Sequence, residues 1–312
     1  MRDDHQMAVS VVVPAFNEAE SLPELVARVR CALDGMGLTW ELWIVDDGSS
    51  DGTWEVVQAQ NAAEARVRGI RLARNFGKAA ALAAGFEAAR GVYVITMDAD
   101  LQDDPDEFPQ LIAKLEDGWD LVSGWKQDRK DSFIKNHTSK VYNLATSRMC
   151  GLRLHDFNCG LKAYRSEVTH RVKLYGEMHR YVPALAHLDG FRVTEMPVRH
   201  HKRKYGRTKY GVNRFLNGFF DLLTVYFLHA RGSSPLHFFG RLGSFAGTGG
   251  LLICLYFLIY WLAGNALRVR PILVLGLVLV IMAIQFVSLG LIAELMVSDR
   301  RPEQGYRVRD RV

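Results

Sequence analysis

From Phe245 to Ala263, and again from Ile272 to Ala293, the chain carries no charged side chain. Each run reaches the roughly 20 apolar residues that a helix needs to cross a hydrocarbon layer. Two buried core helices are the soluble alternative, but consecutive charge-free runs of this length are rare in soluble domains. The pattern therefore predicts two transmembrane helices, over about 243–263 and 272–296. The connection from Gly264 to Pro271 is short and holds only Arg268 and Arg270. The tail beyond Asp299 holds Arg300, Arg301, Arg307, Arg309 and Arg311, and the segment before the first run is richer still. By the positive-inside rule both termini lie in the cytoplasm and the hairpin loop outside, in an integral protein of the cytoplasmic (inner) membrane. The expected organisation is a cytoplasmic domain over 1–231, two spans within 232–298 and a basic tail over 299–312. The first residues, MRDDHQM, are charged and lead directly into a strand, which does not suit a secretory leader.

The preceding 230 or so residues alternate strand-like and helix-like patterns. Strands are expected over Val9–Val13, Trp40–Val45, Val67–Leu72 and Val92–Met97. Helices are expected over Leu22–Met36, after Asp51-Gly52-Thr53, and over the Ala-rich stretch Ala79–Ala89. This βαβα order predicts an α/β fold, a mostly parallel sheet flanked by helices on both faces. Ligands of such sheets bind beyond the carboxyl ends of the strands. No GxGxxG follows a strand, and Gly247 to Gly250 falls in the first apolar run, where close helix packing is the better reading. A dinucleotide dehydrogenase is thereby disfavoured. The net charge of +5 and pI near 9.0 suit phosphates or anionic lipid as well as nucleic acid. Four cysteines without CxxC spacing, one of them in an apolar run, point to free thiols in a reducing compartment.

The fourth strand runs into TMDADLQDDP, where Asp98, Asp100, Asp103 and Asp104 crowd together. Like charges this close repel, and carboxylates near a core need partners. Capping of the helix that begins near Pro105 accounts for Asp103 and Asp104. It does not account for Asp98 and Asp100, which flank Ala99 at the strand's end. Hard oxygen ligands in such a pair suit a divalent cation, and Mg²⁺ commonly arrives with substrate phosphates.

VVVPAFNEAESLPELV, IVDDGSSDGT, RNFGKAAALAAG and MDADLQDDP, in that order and each at a strand end, resemble the family 2 glycosyltransferases of GT-A fold. The match is nearest to the polyprenyl-phosphate glycosyltransferases of the dolichol-phosphate mannose synthase and GtrB type, and it covers essentially the whole chain. The resemblance implies that Pro14, Ala15, Asn17 and Glu18 lie against the nucleoside, with Asp46 and Asp47. Carboxylates there are apt acceptors for a ribose hydroxyl or a base N–H. An ordinary Asp/Gly/Ser turn is an equal reading of Asp46-Asp47-Gly48-Ser49. The resemblance places Lys78, Asp98 and Ala99 at the nucleotide sugar. It makes Asp98 and Asp100, with Gln102 nearby, ligands of Mg²⁺ or Mn²⁺, and Asp100 one of two residues of the chemistry.

The other is Asp156, in LHDFNCGLKAYR ahead of an expected return strand. Family members have an Asp here near the acceptor, usually assigned as a general base. A lipid monophosphate with a second pKa of about 6 is already largely anionic at pH 7. Asp156 is accordingly read as a positioning residue or a base of minor weight, with a turn cap as the structural alternative. In HHKRKYGRTKYG the resemblance matches Arg203, Gly206, Thr208 and Lys209 to a loop that closes over the donor phosphates. A solvated charge run or a nucleic-acid patch is the plainer alternative. Lys126 and Arg129 approximate the family's arginine spacing for the acceptor phosphate.

Residues 132–150 and 212–230 mix apolar and basic side chains at helical spacing and are expected to be interfacial amphipathic helices, though a core-facing helix fits each pattern too. The resemblance thus implies an inverting, metal-dependent transfer of one sugar from a nucleotide diphosphate sugar to a polyprenyl phosphate such as undecaprenyl phosphate. The partners are those two substrates, the membrane and, through the spans, a small homo-oligomer, with no nucleic acid. UDP is favoured over GDP by the whole-chain match. A processive polysaccharide synthase fits less well, since no Q-x-x-R-W is present. A non-catalytic membrane scaffold with a vestigial transferase domain fits poorly with the intact acidic pair.

Overall fold

The computed structural model describes residues 7–127, 143, 146–174, 176, 178–202, 204, 235–266, 270–298 and 308–311. The chain divides into two compact units, Met1–Val225 with Gln304–Val312, and Tyr226–Glu303.

In the first unit β1 (Val9–Ala15), β2 (Trp40–Asp46), β3 (Val67–Leu72) and β4 (Tyr93–Thr96) are joined by α1 (Leu22–Gly35), α2 (Thr53–Ala63) and α3 (Lys78–Ala88). α4 (Phe108–Glu116) leads to β5 (Leu121–Lys126). β6 (Lys162–Arg165), α5 (Ser166–Arg171), α6 (Val182–Leu188) and β7 (Val193–Val198) complete the domain. The strand order is β7-β5-β6-β4-β1-β2-β3-β8, where β8 is Val308–Arg311. β1 pairs in parallel with β2 and β4, and β2 with β3, as the alternating pattern predicts. β6 is antiparallel to both β4 and β5, and β8 is antiparallel to β3.

Helices cover both faces, so the central strands are buried throughout; β2 has no exposed residue along Trp40–Asp46. That is why VSVVVPA and WELWIVD read as near-continuous apolar runs rather than alternating ones. α1 buries Leu22, Leu25, Val26, Val29 and Leu33, a stripe at helical spacing. α3 packs closer: a Cβ on Gly85 would lie 2.2 Å from Val12 Cγ1. The polar residues of the sheet's amino end form a structural network around Glu41. Ser10 Oγ donates to Glu41 Oε1 (2.7 Å), and Arg90 N donates to the same carboxylate (2.8 Å). The carboxyl end is organised quite differently.

The second unit is a helical hairpin, α7 (Pro235–Leu262) and α8 (Pro271–Ser298), both long and apolar enough to cross a membrane. The first helix begins further upstream than the charge-free run. Every large hydrophobic side chain exposed among the described residues belongs to these two helices, from Leu242 to Met296. Small residues line their contact. A Cβ on Gly243 would lie 3.0 Å from Ala283 O, and one on Gly250 would lie 2.7 Å from Gly276 O. Of the stretch Gly247 to Gly250 read as close helix packing, Gly250 serves backbone approach, whereas a Cβ on Gly249 would meet nothing within 4 Å. Of the expected interfacial helices, all but residues 143 and 146–150 lies outside the described residues.

Candidate active site

Four loops converge at the carboxyl edge. The first two, after β1 and β2, are tied to each other. Asn17 adopts φ +56°, a left-handed conformation that Asn tolerates. Its N–H donates to Ser49 Oγ (2.9 Å), and its Oδ1 accepts from Ser50 N (2.9 Å). Glu18 N donates to Thr53 Oγ1 (2.9 Å). Asp46, fully buried, accepts from Ser49 N (2.9 Å) and faces Arg71 Nε at 3.4 Å. Asp47 reaches the third loop: its two oxygens accept from Phe76 N (2.7 Å) and Gly77 N (2.9 Å). Burial raises the Asp47 pKa, and these two N–H groups partly offset it. Pro14 and Ala15, at the end of β1, are held in register with Val45 and Asp46. The residues matched to the nucleoside thus form one braced platform, in which both aspartates already have protein partners.

Gly77, at φ +94°, turns the chain into α3 and delivers Lys78 at that helix's first position. Lys78 Nζ donates to Asp98 Oδ1. Burial alone would drive both groups toward neutrality. The attraction outweighs it, so the Asp98 carboxyl is held well below its ordinary range, chiefly by Lys78 and then Lys126, and the Lys78 ammonium is raised. Asp98 also has an unusual neighbour in Gly160, where a Cβ would lie 2.5 Å from Asp98 Oδ2. Only glycine leaves the carboxylate that place.

The acidic loop itself is strained and pinned. Leu101 has φ +62°, uncommon for a branched side chain. Asp100 accepts from Gln102 N (3.2 Å) and is 7% exposed, while Ala99 beside it is buried. Asp104 caps the short helix Pro105–Glu107, accepting from Asp106 N (3.2 Å). Asp103 does something else: its carboxylate accepts from Asp98 N (3.2 Å) and lies 3.2 Å from Lys126 Nζ. Burial opposes the charge on Lys126, but Asp103 overrides it and holds the ammonium protonated. Lys126, matched to the acceptor phosphate, is therefore engaged with the acidic loop.

The segment after β7 clamps this loop from the far side. His200 bridges Asp103 through the main chain, and His201 N donates to Gln102 O (2.8 Å). Arg199 Nε lies 3.3 Å from Glu107, and His201 Nε2 lies 3.1 Å from Asp104. Gln102 Nε2 donates to His201 O (3.3 Å). Lys204, in the basic stretch, reaches Glu24 of α1 at 2.6 Å. Arg129, Arg203 and Lys209 lie outside the described residues.

Because β6 runs antiparallel, its first residue Lys162 pairs with Thr96 at the same edge as the acidic loop. Lys162 is 3% exposed and donates to Cys159 O; burial lowers its pKa. Burial also pushes the Cys159 thiol up to about 12, so it is an inert neighbour. Asp156 is buried, and its Oδ1 accepts from Asn158 N (3.0 Å), a local turn. Between β4, β6 and α3 lies a small crevice lined by Pro14, Lys78, Asp98, Asn158, Lys162 and His179. His179 Nδ1 is buried there with no hydrogen-bond partner among the described residues. Such an atom costs about 1–3 kcal/mol unless something pairs with it. Nothing in the sequence singles out His179, a lone histidine in GEMHRY, and Gly160 and Lys162 are equally silent.

No three His, Cys, Asp or Glu side chains converge as a ready-made metal cage among the described residues. The donor set still fits Mg²⁺ or Mn²⁺, which one or two carboxylates hold together with substrate phosphates and water. Asp98 and Asp100 are carboxylates of that chemistry in the loop after β4, and Asp98 is paired with Lys78.

The profile of Glycosyl transferase family 2 matches residues 10–173. The chain is 40% identical over 296 residues to a dodecaprenyl-phosphate galacturonate synthase of Rhizobium johnstonii, covering 93% of this chain and 88% of that protein. It is 37% identical to an undecaprenyl-phosphate 4-deoxy-4-formamido-L-arabinose transferase of Salmonella paratyphi A, covering 92% and 87%. Among solved structures, the glucosyl-3-phosphoglycerate synthase of Mycobacterium tuberculosis, in complex with Mn²⁺ and UDP-glucose, shares the fold. Its TM-score is 0.54 at 20% identity, over 70% of this chain and 79% of that one. The sheet is that of a glycosyltransferase with GT-A architecture. The chain belongs to glycosyltransferase family 2, and it resembles the polyprenyl-phosphate enzymes of that family along nearly its whole length.

Proposed function

We propose that the protein transfers a single sugar, with inversion, from a UDP-sugar to a polyprenyl phosphate at the cytoplasmic face of a membrane. The observation that carries this reading is the joining of the Asp98/Asp100 edge to a helical hairpin in one chain. The acidic edge suits a metal diphosphate, and the hairpin suits delivery of a lipid. The two relatives named above are both named for polyprenyl phosphates.

In the reaction, an anionic oxygen of the lipid phosphate attacks the anomeric carbon. The bond from that carbon to the diphosphate breaks, and UDP leaves with the electron pair. One displacement inverts the centre and needs no enzyme nucleophile. Mg²⁺ or Mn²⁺ held by Asp98 and Asp100, with Gln102 beside them, would neutralise charge on the departing diphosphate. Pro14, Ala15, Asn17, Glu18, Asp46 and Asp47 form the nucleoside platform. Ala99 lines the diphosphate's path, and Lys78, Arg203 and Lys209 supply positive charge to it. Asp156 positions the acceptor rather than deprotonating it, because the phosphate ionises by itself. Lys126 serves the acceptor phosphate with Arg129, sharing its charge with Asp103.

Both termini are assigned to the cytoplasm. The pairing of β8 with β3 supports this, since it returns the chain after α8 to the domain that precedes α7. Membranes carrying the protein, supplied with undecaprenyl phosphate, Mn²⁺ and a panel of UDP-sugars and GDP-mannose, test the reading. One lipid-linked monosaccharide is expected from a UDP-sugar. A polymer, or no product with any donor, refutes it.

A further inference from the structure

Across the carboxyl edge the strands run β2, β1, β4, β6. The platform of Asp46 and Asp47 stands over β2, Pro14 over β1 and Asp98 over β4. A nucleotide sugar laid with its nucleoside on that platform and its diphosphate at Asp98 carries its glycosyl group onward, toward β6. There lies the crevice that Lys162, Asn158 and His179 line. At about 4.8 Å per strand, β2 to β6 is a walk of about 14 Å.

We infer that His179 is a specificity-determining residue, whose buried Nδ1 pairs with a polar ring substituent of the transferred sugar. The inference rests on the donor reading above. Three observations carry it. Nδ1 is removed from solvent and has no hydrogen-bond partner among the described residues, which leave that atom open to a ligand. The crevice is small and polar and adjoins Asp98, so it suits one hydroxyl or exocyclic group rather than a whole ring. The surroundings are cationic: burial first, then Lys78, Arg180 and Lys162, hold the imidazole neutral, with only Asp98 opposing. A neutral imidazole has one donor and one acceptor, which matches a hydroxyl, itself both. A site built to pair with one hydroxyl discriminates against epimers that misplace it. A single buried water is the competing occupant.

The test uses the full chain in membranes, with His179→Ala and His179→Gln. For wild type and variants, kcat/KM is measured with the best-used donor among UDP-glucose, UDP-galactose, UDP-galacturonate and UDP-xylose, and with the next best. Inhibition by UDP is measured alongside. His179→Ala should leave UDP inhibition within about twofold, lower kcat/KM for the best donor by about tenfold or more, and shrink its advantage over the next donor. His179→Gln, which keeps a donor and an acceptor, should restore part of that preference. Equal losses with every sugar, or sugar preference unchanged in both variants, would mean a structural histidine satisfied by water and would overturn the inference. If His179→Ala does not fold, by thermal unfolding, His179→Leu, which fills the space without a polar atom, is read in its place, and an unchanged sugar preference there overturns the inference. Wild type idle with every donor defeats the transferase reading itself, which separates the two failures.

Discussion

Gly160→Ala isolates the position of one carboxylate from everything else in the site. The added Cβ would lie 2.5 Å from Asp98 Oδ2 and 2.6 Å from its Cγ, about 0.9 Å inside ordinary contact at 3.4 Å. Gly160 does not have a positive φ, so the backbone accepts alanine. What must give is the Asp98 carboxylate, the end of a side chain that is 31% exposed but paired with Lys78. The fold should therefore lose about 1 kcal/mol, the low end of what overpacking costs. Function should lose more, because a displacement near 1 Å at a positioned group costs about a hundredfold, or roughly 3 kcal/mol of transition-state stabilisation. The assay is kcat/KM for transfer to undecaprenyl phosphate across a Mn²⁺ titration, with thermal unfolding alongside. Gly35→Ala, where nothing lies within 4 Å of the new Cβ, is the control. The expected outcome is a similar melting temperature, a large loss of rate and a higher metal requirement. Wild-type rate at wild-type metal demand would show that the close approach of Gly160 to Asp98 has no bearing on the reaction.

Asp100→Asn should fold normally and lose at least about two orders of magnitude in turnover, and near-normal turnover at modest metal excess would remove Asp100 from the metal site. Asp156→Asn should bind UDP normally and transfer more slowly, with a rate that still rises through about pH 6 as the lipid phosphate ionises. Disappearance of that limb in the variant would make Asp156 the base. Tags at either terminus should be protected in intact cells and one near Asn265 accessible, so exterior labelling of the tail contradicts the two-span topology.

The parallel half of the sheet was legible chiefly because β1, β2 and β4 are largely apolar runs that end abruptly in polar residues, as Val92 to Asp98 does. The hairpin was legible for a similar reason, an absence of charge sustained over a membrane's thickness. What pattern does not carry is sequence-distant insertion. β6 enters between β4 and β5, against their direction, and so brings Gly160 and Lys162 beside Asp98. Lys126 illustrates the same limit. The resemblance matches this lysine to an acceptor phosphate, yet in the structure it meets Asp103, from the loop ahead of α4. Asp47 read equally as a turn residue or a ligand group, and the structure gives it two backbone donors from the β3–α3 loop, a contact no local spacing encodes.

The clamp between the acidic loop and the residues after β7 bears on how this enzyme can be re-engineered. Arg199, His200 and His201 meet Asp103, Asp104 and Glu107, and Lys204 meets Glu24, all immediately before or within the basic stretch. The exposed pairs are individually weak, but the main-chain bridge fixes their register. Plug and socket are thus encoded nearly a hundred positions apart and are fitted to each other. A chimera that borrows only residues 98–107 from a relative leaves mismatched charges at the seam, whereas one that borrows 98–107 together with 199–204 carries a matched pair. Recombination among these transferases should accordingly inherit the two segments as a single module.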